Sequence, residues 1–580
     1  MQKISLILSL ILIISLSSFS VNSSICLTSK NGMVSSASIY ASEIGAQILE
    51  NGGNAIDAAV AVSLALGVAE PYASGIGGEG YAIISLANGK DYFLDFKSVA
   101  PEMANYDYIK SLGIDSLSEI KYTAKAAMVP GVLAGIEKAL EIGGTLPLSK
   151  LIEPSISLAK NGFIVNKTFS KTTGDKYELL LENAEDFLND YLVWEEGEVF
   201  TNPALAETYE EISKNGIKSF YTGKIAESIE NIMKETDGFI RKKDLGNYKA
   251  IYGNPLSGTY RGYEIVAPQQ PVSGAEIISI MNILENFNIC SFSEYDPLLI
   301  HIIYQSIMLE SIDSYHFLGD PYFNNLPTKG WISKEYAKSR LKYINFDSFI
   351  TTEEYKKMTG NPGSYAENES YTDVALNKAN GFSEEYLENE SHHSTTHFSI
   401  VDKFGNAVSW TQTLSSFFGC GTYVDGFFLN NEIWNFSIDK DIENTWVIEP
   451  GKRPATTIAP IIVKKDCKVK YVIGTPGGER IVPTVIQILV DLIDFGKTVE
   501  QAVTSPKFSS FIGYDTVNFE SSFPEKTVKY LEKCLGYPVN IKDYPDLYFG
   551  GPNIISIDKD FNITGMGSVR RNGFSAAPIF

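Results

Sequence analysis

The sharpest change of character in this chain falls between Ser394 and His397. Residues 350–394 are polar and rich in Glu, Asn, Ser and Tyr. Such a stretch buries too little apolar surface to offset the entropy of ordering it, and it reads as an exposed, poorly ordered segment. Directly after it, His397-Phe398-Ser399-Ile400-Val401 has the texture of a buried strand. A buried strand that begins where an exposed segment ends is an unusual place for a chain to be continuous.

The rest of the sequence divides around that point. Ser42 to Leu49 has helical spacing and stops at Asn51-Gly52-Gly53-Asn54, and Asp57 to Leu66 is rich in Ala, Val and Leu. Residues 39–69 therefore read as a helical pair, the second helix packed closely on all sides. Residues 81–97 alternate like paired strands around Asn88-Gly89, and residues 130–345 read as mainly helical with Gly and Pro breaks. Ala407–Thr413 and Val469–Ile473 read as further strands, and a helix from Ile481 to Phe495 follows Gly477-Gly478.

Composition removes several classes of function. With 44% hydrophobic and 20% charged residues the chain is neither disordered nor collagen-like. Its net charge of −22 repels phosphate backbones, so no nucleic-acid partner is expected. The five cysteines, at 26, 290, 420, 467 and 534, form no Cys-x-x-Cys, and the five histidines form no His-Glu-x-x-His. No metal site and no cofactor are expected. At the amino terminus Met1-Gln2-Lys3 precedes the apolar run Ile4–Leu16 and then small polar residues, the three-part pattern of a secretory signal peptide. The run is shorter than the ~20 residues of a membrane span. Residues 1–24 are assigned to the signal, with an uncleaved anchor as the other reading, and the location is secreted, periplasmic or cell-surface.

Two nucleotide-binding patterns fail on context. Gly75-Ile76-Gly77-Gly78-Glu79-Gly80 matches Gly-x-Gly-x-x-Gly, but a helix precedes it and the strand Tyr81–Ile84 follows, the reverse of a dinucleotide site. Gly496-Lys497-Thr498 resembles the end of a P-loop, but Asp491 stands where its first Gly belongs. No Gly-x-Ser-x-Gly elbow is present. What remains is Ser394-Thr395-Thr396-His397. A Thr there suits a nucleophile that cuts the chain at its own upstream peptide, the freed α-amine then serving as base for the same hydroxyl. A Thr-Thr pair at a strand start is also what β-branched propensity alone produces.

From about Gly32 to Arg571 the chain resembles the γ-glutamyltransferase (γ-glutamyl transpeptidase) family. The blocks that carry this are Ala41–Gly45 with Gly52–Ala59, Ser74–Gly78, Asp95-Phe96-Lys97 with Ala100-Pro101, Val129-Pro130-Gly131, Thr395–Ser399 with Asp402 and Gly405–Val408, Leu429-Asn430-Asn431, Lys452-Arg453-Pro454 and Pro476-Gly477-Gly478. The resemblance implies an α+β fold, an αββα four-layer N-terminal nucleophile sandwich. It would be built from two autoprocessed fragments, 25–394 and 395–580, cut between Ser394 and Thr395 and associated as a heterodimer. It implies Thr395 as the nucleophile that forms a γ-glutamyl ester and Thr413 as the hydroxyl that hydrogen-bonds it. The Gly477 and Gly478 N–H groups would form the oxyanion hole, a task suited to adjacent donors that need no reorganisation.

This chain departs from the family where the substrate is held. Lys97 stands in place of an Arg that binds the substrate α-carboxylate, and it lacks the bidentate fork. Thr456 and Thr457 replace paired serines. Ser415, Glu432 and Asn435 align with the residues that hold the free α-amine, Asn435 in place of an Asp. The segment from Ser437 to Gly451 is short compared with members that carry a lid, which suggests an open mouth. The resemblance therefore points to a secreted γ-glutamyl hydrolase or transferase acting on small-molecule or peptide donors such as glutathione. A poly-γ-glutamate depolymerase or glutaryl-amide acylase is the alternative, and an inactive scaffold a remote one. Amino-terminal sequencing of the smaller fragment should read Thr-Thr-His-Phe, and Thr395→Ala should run as one uncut chain on a denaturing gel. Any other start removes Thr395 as the nucleophile.

Overall fold

A strand that is buried on both faces needs a layer on each side. In a computed structural model, which describes residues 21–366, 394–439 and 445–579, Thr396–Asp402 and Ala407–Thr413 are buried at every position. Successive side chains along a strand point to opposite faces. Phe398, Ile400, Val408 and Trp410 accordingly join the apolar cluster beneath helices Ile39–Glu50 and Ala55–Ala69. Val401 and Ala407 point the other way, into the cluster between two stacked sheets.

The first sheet has eight strands in the edge-to-edge order Val21–Ser24, Phe574–Pro578, Gly32–Ser36, Thr396–Asp402, Ala407–Thr413, Glu79–Ser85, Asp91–Asp95 and Ile251–Gly253. The second has seven, in the order Cys26–Ser29, Ile563–Gly567, Asn553–Ile557, Lys468–Ile473, Ile461–Lys465, Tyr263–Ala267 and Leu256–Tyr260. Neighbouring strands in both sheets run antiparallel. Met33, Ile83, Ile462, Val472 and Ile555 fill the space between the sheets. Helices Gly274–Leu284, Pro297–Phe317 and Ile481–Ile493 belong to the separate core over the second sheet. The architecture is the expected αββα sandwich.

The helical pair sits where the sequence indicates, and all of Ala55–Ala69 is buried. Its start is held by a reciprocal cap. Asn54 accepts from the Ile56 and Asp57 N–H groups, and Asp57 accepts from the Asn54 N–H at 2.9 Å. Asp57 also accepts the Thr145 and Leu146 N–H groups at 2.8 and 3.0 Å, which ties the helix to the loop before Leu148–Asn161.

Two expectations are refined. The span 130–345 is mainly helical as expected, but it also holds Ile251–Gly253, Leu256–Tyr260 and Tyr263–Ala267, which extend both sheets. The last two form a hairpin in which Arg261 and Gly262 have φ of +50° and +75°, the positive values of a tight two-residue turn, and Tyr, Thr, Ile and Val supply β-prone arms. The segment 350–394 is ordered at its start. Thr352–Tyr355 and Pro362–Tyr365 are short helical turns, Tyr355 is fully buried, and Arg340 donates to the Met358 carbonyl. Residues 367–393 lie outside the described residues, as does the signal assignment apart from Val21–Ser24, which pairs with Phe574–Pro578 at the sheet edge.

Replacing Asp57 with Ala leaves several part-buried donors without an acceptor. The expected loss is about 3 kcal/mol, measured by urea unfolding of the uncut Thr395→Ala chain, where the transition stays unimolecular. A loss below about 1 kcal/mol would mean water replaces the carboxylate.

Candidate active site

The central hairpin determines where the reacting groups lie. Thr396 pairs with Gln412, and His397 with Thr411. Extending that register by one residue sets Thr395 opposite Thr413, which is what an 18-residue spacing in sequence becomes in space. By the same alternation that sends Val401 between the sheets, Thr395 and Thr413 both face the second sheet. The Thr395 hydroxyl donates to Thr413 Oγ1 at 3.1 Å, and the Thr413 hydroxyl points on to the Ser394 carbonyl oxygen at 3.4 Å. The hydroxyl beside the Ser394–Thr395 bond is thus linked to the carbonyl it would attack.

Both sides of that bond are pinned. The Ser394 N–H donates to the Ser415 carbonyl at 3.0 Å, and the Ser415 N–H donates to Thr413 Oγ1 at 2.8 Å. Ser415 does this with a φ of +77°, a left-handed conformation that costs a non-glycine residue of order 1 kcal/mol. Beyond Thr395, the Arg571 guanidinium donates to the Thr395 carbonyl and pairs with Glu70, which also accepts the Thr396 and Tyr72 hydroxyls. His397 lies between the sheets, hydrogen-bonded to Thr411 and Ser399, and burial pulls its pKa down to about 3, so it is neutral. Its ring occupies the space beside Gly474, where a Cβ would come within 2.3 Å of it.

Gly477 and Gly478 follow the Lys468–Ile473 strand and open the turn into helix Ile481–Ile493, with φ of +139° and +58°. Their N–H groups donate to no other group among the described residues. Unused adjacent donors at the first turn of a helical segment are what a developing oxyanion requires.

A cavity of about 680 Å³ opens beside Thr395. Its wall includes Ser394, Thr395, Thr413, Ser415, Glu432, Asn435, Thr456, Thr457 and Gly478. Two expected site residues, Lys97 and Gly477, are not in that wall. Lys97 is fully buried and its ammonium pairs with Glu79 and, at 2.7 Å, with Glu432. Its ammonium is engaged by these two neighbours behind the wall and does not reach the cavity. Asn435 likewise commits its amide N–H to Glu432 at 2.7 Å. The paired hydroxyls Thr456 and Thr457 are half-buried in the wall. Ser415 accepts the Trp434 indole N–H at 3.0 Å. Of the shortened Ser437–Gly451 segment, Ser437, Ile438, Asp439 and Trp446 line the cavity, while residues 440–444, on which the open mouth depends, lie outside the described residues.

Glu79 is the site residue that the sequence reading passed over. It sits in the rejected glycine-rich motif and begins the Glu79–Ser85 strand. Burial, followed by the charge of Glu432, raises its pKa to about 8 against the pull of Lys97. For Glu432, burial is outweighed by Lys97 and by hydrogen bonds from Glu79, Lys97 and Asn435, which hold its carboxyl below the usual range. Near neutral pH the trio therefore carries a protonated Glu79, an ionised Glu432 and a charged Lys97. Glu70 and Arg571 were also missed. They meet across 501 positions of sequence, and no local spacing signals such a pair.

The profile of the family described as Gamma-glutamyltranspeptidase matches residues 41–578. The glutathione hydrolase proenzyme of Escherichia coli strain K12 is 34% identical over 562 residues, covering 93% of this chain and 90% of that protein. The acylase ACY 1 proenzyme of Pseudomonas sp. strain V22 is 32% identical, covering 95% of this chain and 94% of that protein. A solved cephalosporin acylase from Bacillus halodurans superposes with a TM-score of 0.84 at 26% identity, over 95% of this chain and 96% of that one. By sequence over nearly its whole length, and by fold, the chain belongs to the γ-glutamyltranspeptidase family of autoprocessed N-terminal nucleophile hydrolases.

Proposed function

We propose that this protein is an exported γ-glutamyl hydrolase and transferase whose donors are glutathione-like γ-glutamyl amides. The observation that carries the reading is the Thr395–Thr413 hydroxyl pair opening onto a cavity whose wall also holds the ionised Glu432. The first step is on the chain itself. Thr395 Oγ1 attacks the Ser394 carbonyl carbon, the C–N bond breaks, and the resulting ester is hydrolysed. This leaves a Ser394 carboxylate and a free Thr395 α-amine.

In turnover that amine, in its neutral form, takes the hydroxyl proton as Oγ1 adds to the donor's γ-carbonyl. Thr413 orients the hydroxyl, and the Gly477 and Gly478 N–H groups receive the oxyanion. Collapse expels the amine half of the donor with that proton and leaves the γ-glutamyl ester. Water or an acceptor amine then attacks the ester, and the Thr395 hydroxyl is restored. Glu432 offers a carboxylate to the donor's α-ammonium, a charge-assisted bond roughly twice as strong as a neutral one. With Lys97 neutralised by its own neighbours, Thr456 and Thr457 offer hydroxyls to the α-carboxylate.

Fragments 25–394 and 395–580 would stay together as a heterodimer, because their strands interleave. Thr396–Asp402 lies between Gly32–Ser36 from one fragment and Ala407–Thr413 from its own. The apolar amino terminus supports export. Among the described residues no helix is long and apolar enough to cross a membrane.

Two variants test the assignment. Thr413→Ala should slow both fragment formation on a gel and kcat by ~10²–10⁴-fold while leaving the circular dichroism spectrum intact. Wild-type rates would reduce the hydroxyl pair to coincidence. Wild type should cleave a γ-glutamyl anilide better than the glutaryl anilide that lacks the amine. Glu432→Gln should narrow the gap in kcat/KM by ~1.5–3 kcal/mol. An unchanged gap would place the ammonium elsewhere, and the absence of any gap in wild type would favour the glutaryl alternative.

A further inference from the structure

The cavity beside Thr395 is more acidic than the proposed reaction uses. Among the described residues Asp115, Glu276, Glu432, Asp439 and Glu479 reach its wall, and the one cationic side chain there is Lys110, 3.3 Å from Asp115. The buried ammonium groups close by are not themselves in the wall and are engaged with residues there, Lys121 also feeling the charge of Glu479. Lys97 lies between Glu79 and Glu432, and Lys121 stacks over the Trp434 ring at 3.7 Å.

Glu276 is one of the wall carboxylates for which the mechanism has no task. It stands in the first turn of helix Gly274–Leu284 and is 4% exposed. It meets hydroxyls rather than a cation, Ser314 Oγ at 3.1 Å and Ser311 Oγ at 3.4 Å, both from helix Pro297–Phe317. The Thr456 N–H donates to the Pro271 carbonyl at 3.1 Å, and the Ser273 N–H to the Ile458 carbonyl at 3.2 Å. These bonds hold the start of the helix against Thr456–Ile458, so Glu276 and the paired threonines belong to one wall. Burial, only partly offset by the hydroxyls, lifts its carboxyl to about 7. A buried carboxylate without a counter-ion is costly, and an entering cation removes that cost.

We propose that Glu276, with Ser311 and Ser314, recognises a second ammonium group, and that the amine half of the substrate is a cation-bearing amine such as an aliphatic diamine. This rests on the acyl-transfer reading and narrows its substrate class. An ammonium brings three donors and no acceptor, which suits a carboxylate whose present partners are two hydroxyls. The same wall opposes a chain of γ-linked glutamates, since each further carboxylate meets like charge.

The test compares three γ-glutamyl amides of matched length, those of 1,4-diaminobutane, pentylamine and 5-aminopentanoate. The mature wild-type protein should rank them cationic, neutral, anionic in kcat/KM, with the first favoured over the second by about tenfold, the worth of one charge-assisted hydrogen bond. In Glu276→Gln the cationic-to-neutral ratio should fall to near one. Equal wild-type rates for the first two, or a preference that survives in Glu276→Gln, overturns the proposal. Calorimetric binding of 1,4-diaminobutane alone, to wild type and to Glu276→Gln, separates the two readings. Binding that is lost in the variant, with none of the amides cleaved, keeps the ammonium site and removes the γ-glutamyl reading. Cleavage without charge preference or diamine binding does the reverse.

Discussion

The pairing of Thr396 with Gln412 sets where the chemistry can occur, because side chains alternate faces along a strand. With that register, Thr395 and Thr413 share a face and their hydroxyls meet. A slip of one residue would turn one of them toward the helices and leave the other alone between the sheets. The flanking strands protect against such a slip. Gly32–Ser36 and Glu79–Ser85 pair on either side of the hairpin, so a shift would break ladders on both edges at once. The proposed oxyanion donors, Gly477 and Gly478, follow a strand of the second sheet, and their distance from Thr395 depends on how the two sheets stack. The cluster of Met33, Ile83, Val401, Ile462 and Val472 is therefore part of the site's geometry as well as of its stability.

Around that rigid hairpin the electrostatics are arranged unusually. One ammonium, Lys97, is shared between two buried carboxylates. Removing charges from water costs several kcal/mol per ion, and a single partner seldom recovers it. The protein resolves this by holding one carboxyl, Glu79, in its protonated form, so that the trio is close to neutral. Glu432, ionised and paired with Lys97, reaches the cavity wall, and the wall beyond it adds further carboxylates. The result is a pocket with a negative lining over a neutral base.

Much of this could be read from the sequence, but unevenly. The helical pair, the hairpin around Asn88-Gly89 and the strands after Ser394 carry their own periodicities, and Thr413 and the glycine pair follow from the family blocks. The hairpin Leu256–Ala267 was hidden because its arms are short and sit among helices. Glu79 was hidden for a different reason. It lies within a motif rejected as a nucleotide site, and nothing in the local spacing shows that its carboxylate would lie beside Lys97, eighteen residues on. Lys97 and Asn435 occupy the positions that the family pattern assigns, yet their hydrogen-bonding groups point to Glu432 rather than to open space. An alignment gives a position, whereas the charges of its neighbours decide what the side chain does there.

The interleaving of the two proposed fragments would have a consequence for the lifetime of the processed protein. Before the cut, Thr396–Asp402 finds its neighbours as part of one chain, and the loss of entropy grows only slowly with the length of the connecting loop. After the cut, the same pairing would have to form between separate molecules whose exposed strands also aggregate. Once unfolded, such a processed pair would have no intramolecular route back. Its persistence is governed by the rate at which the sheets open rather than by an equilibrium between folded and unfolded forms. On the proposed cut the precursor is the species that folds, and the pair of fragments would be a kinetically trapped product of that folding.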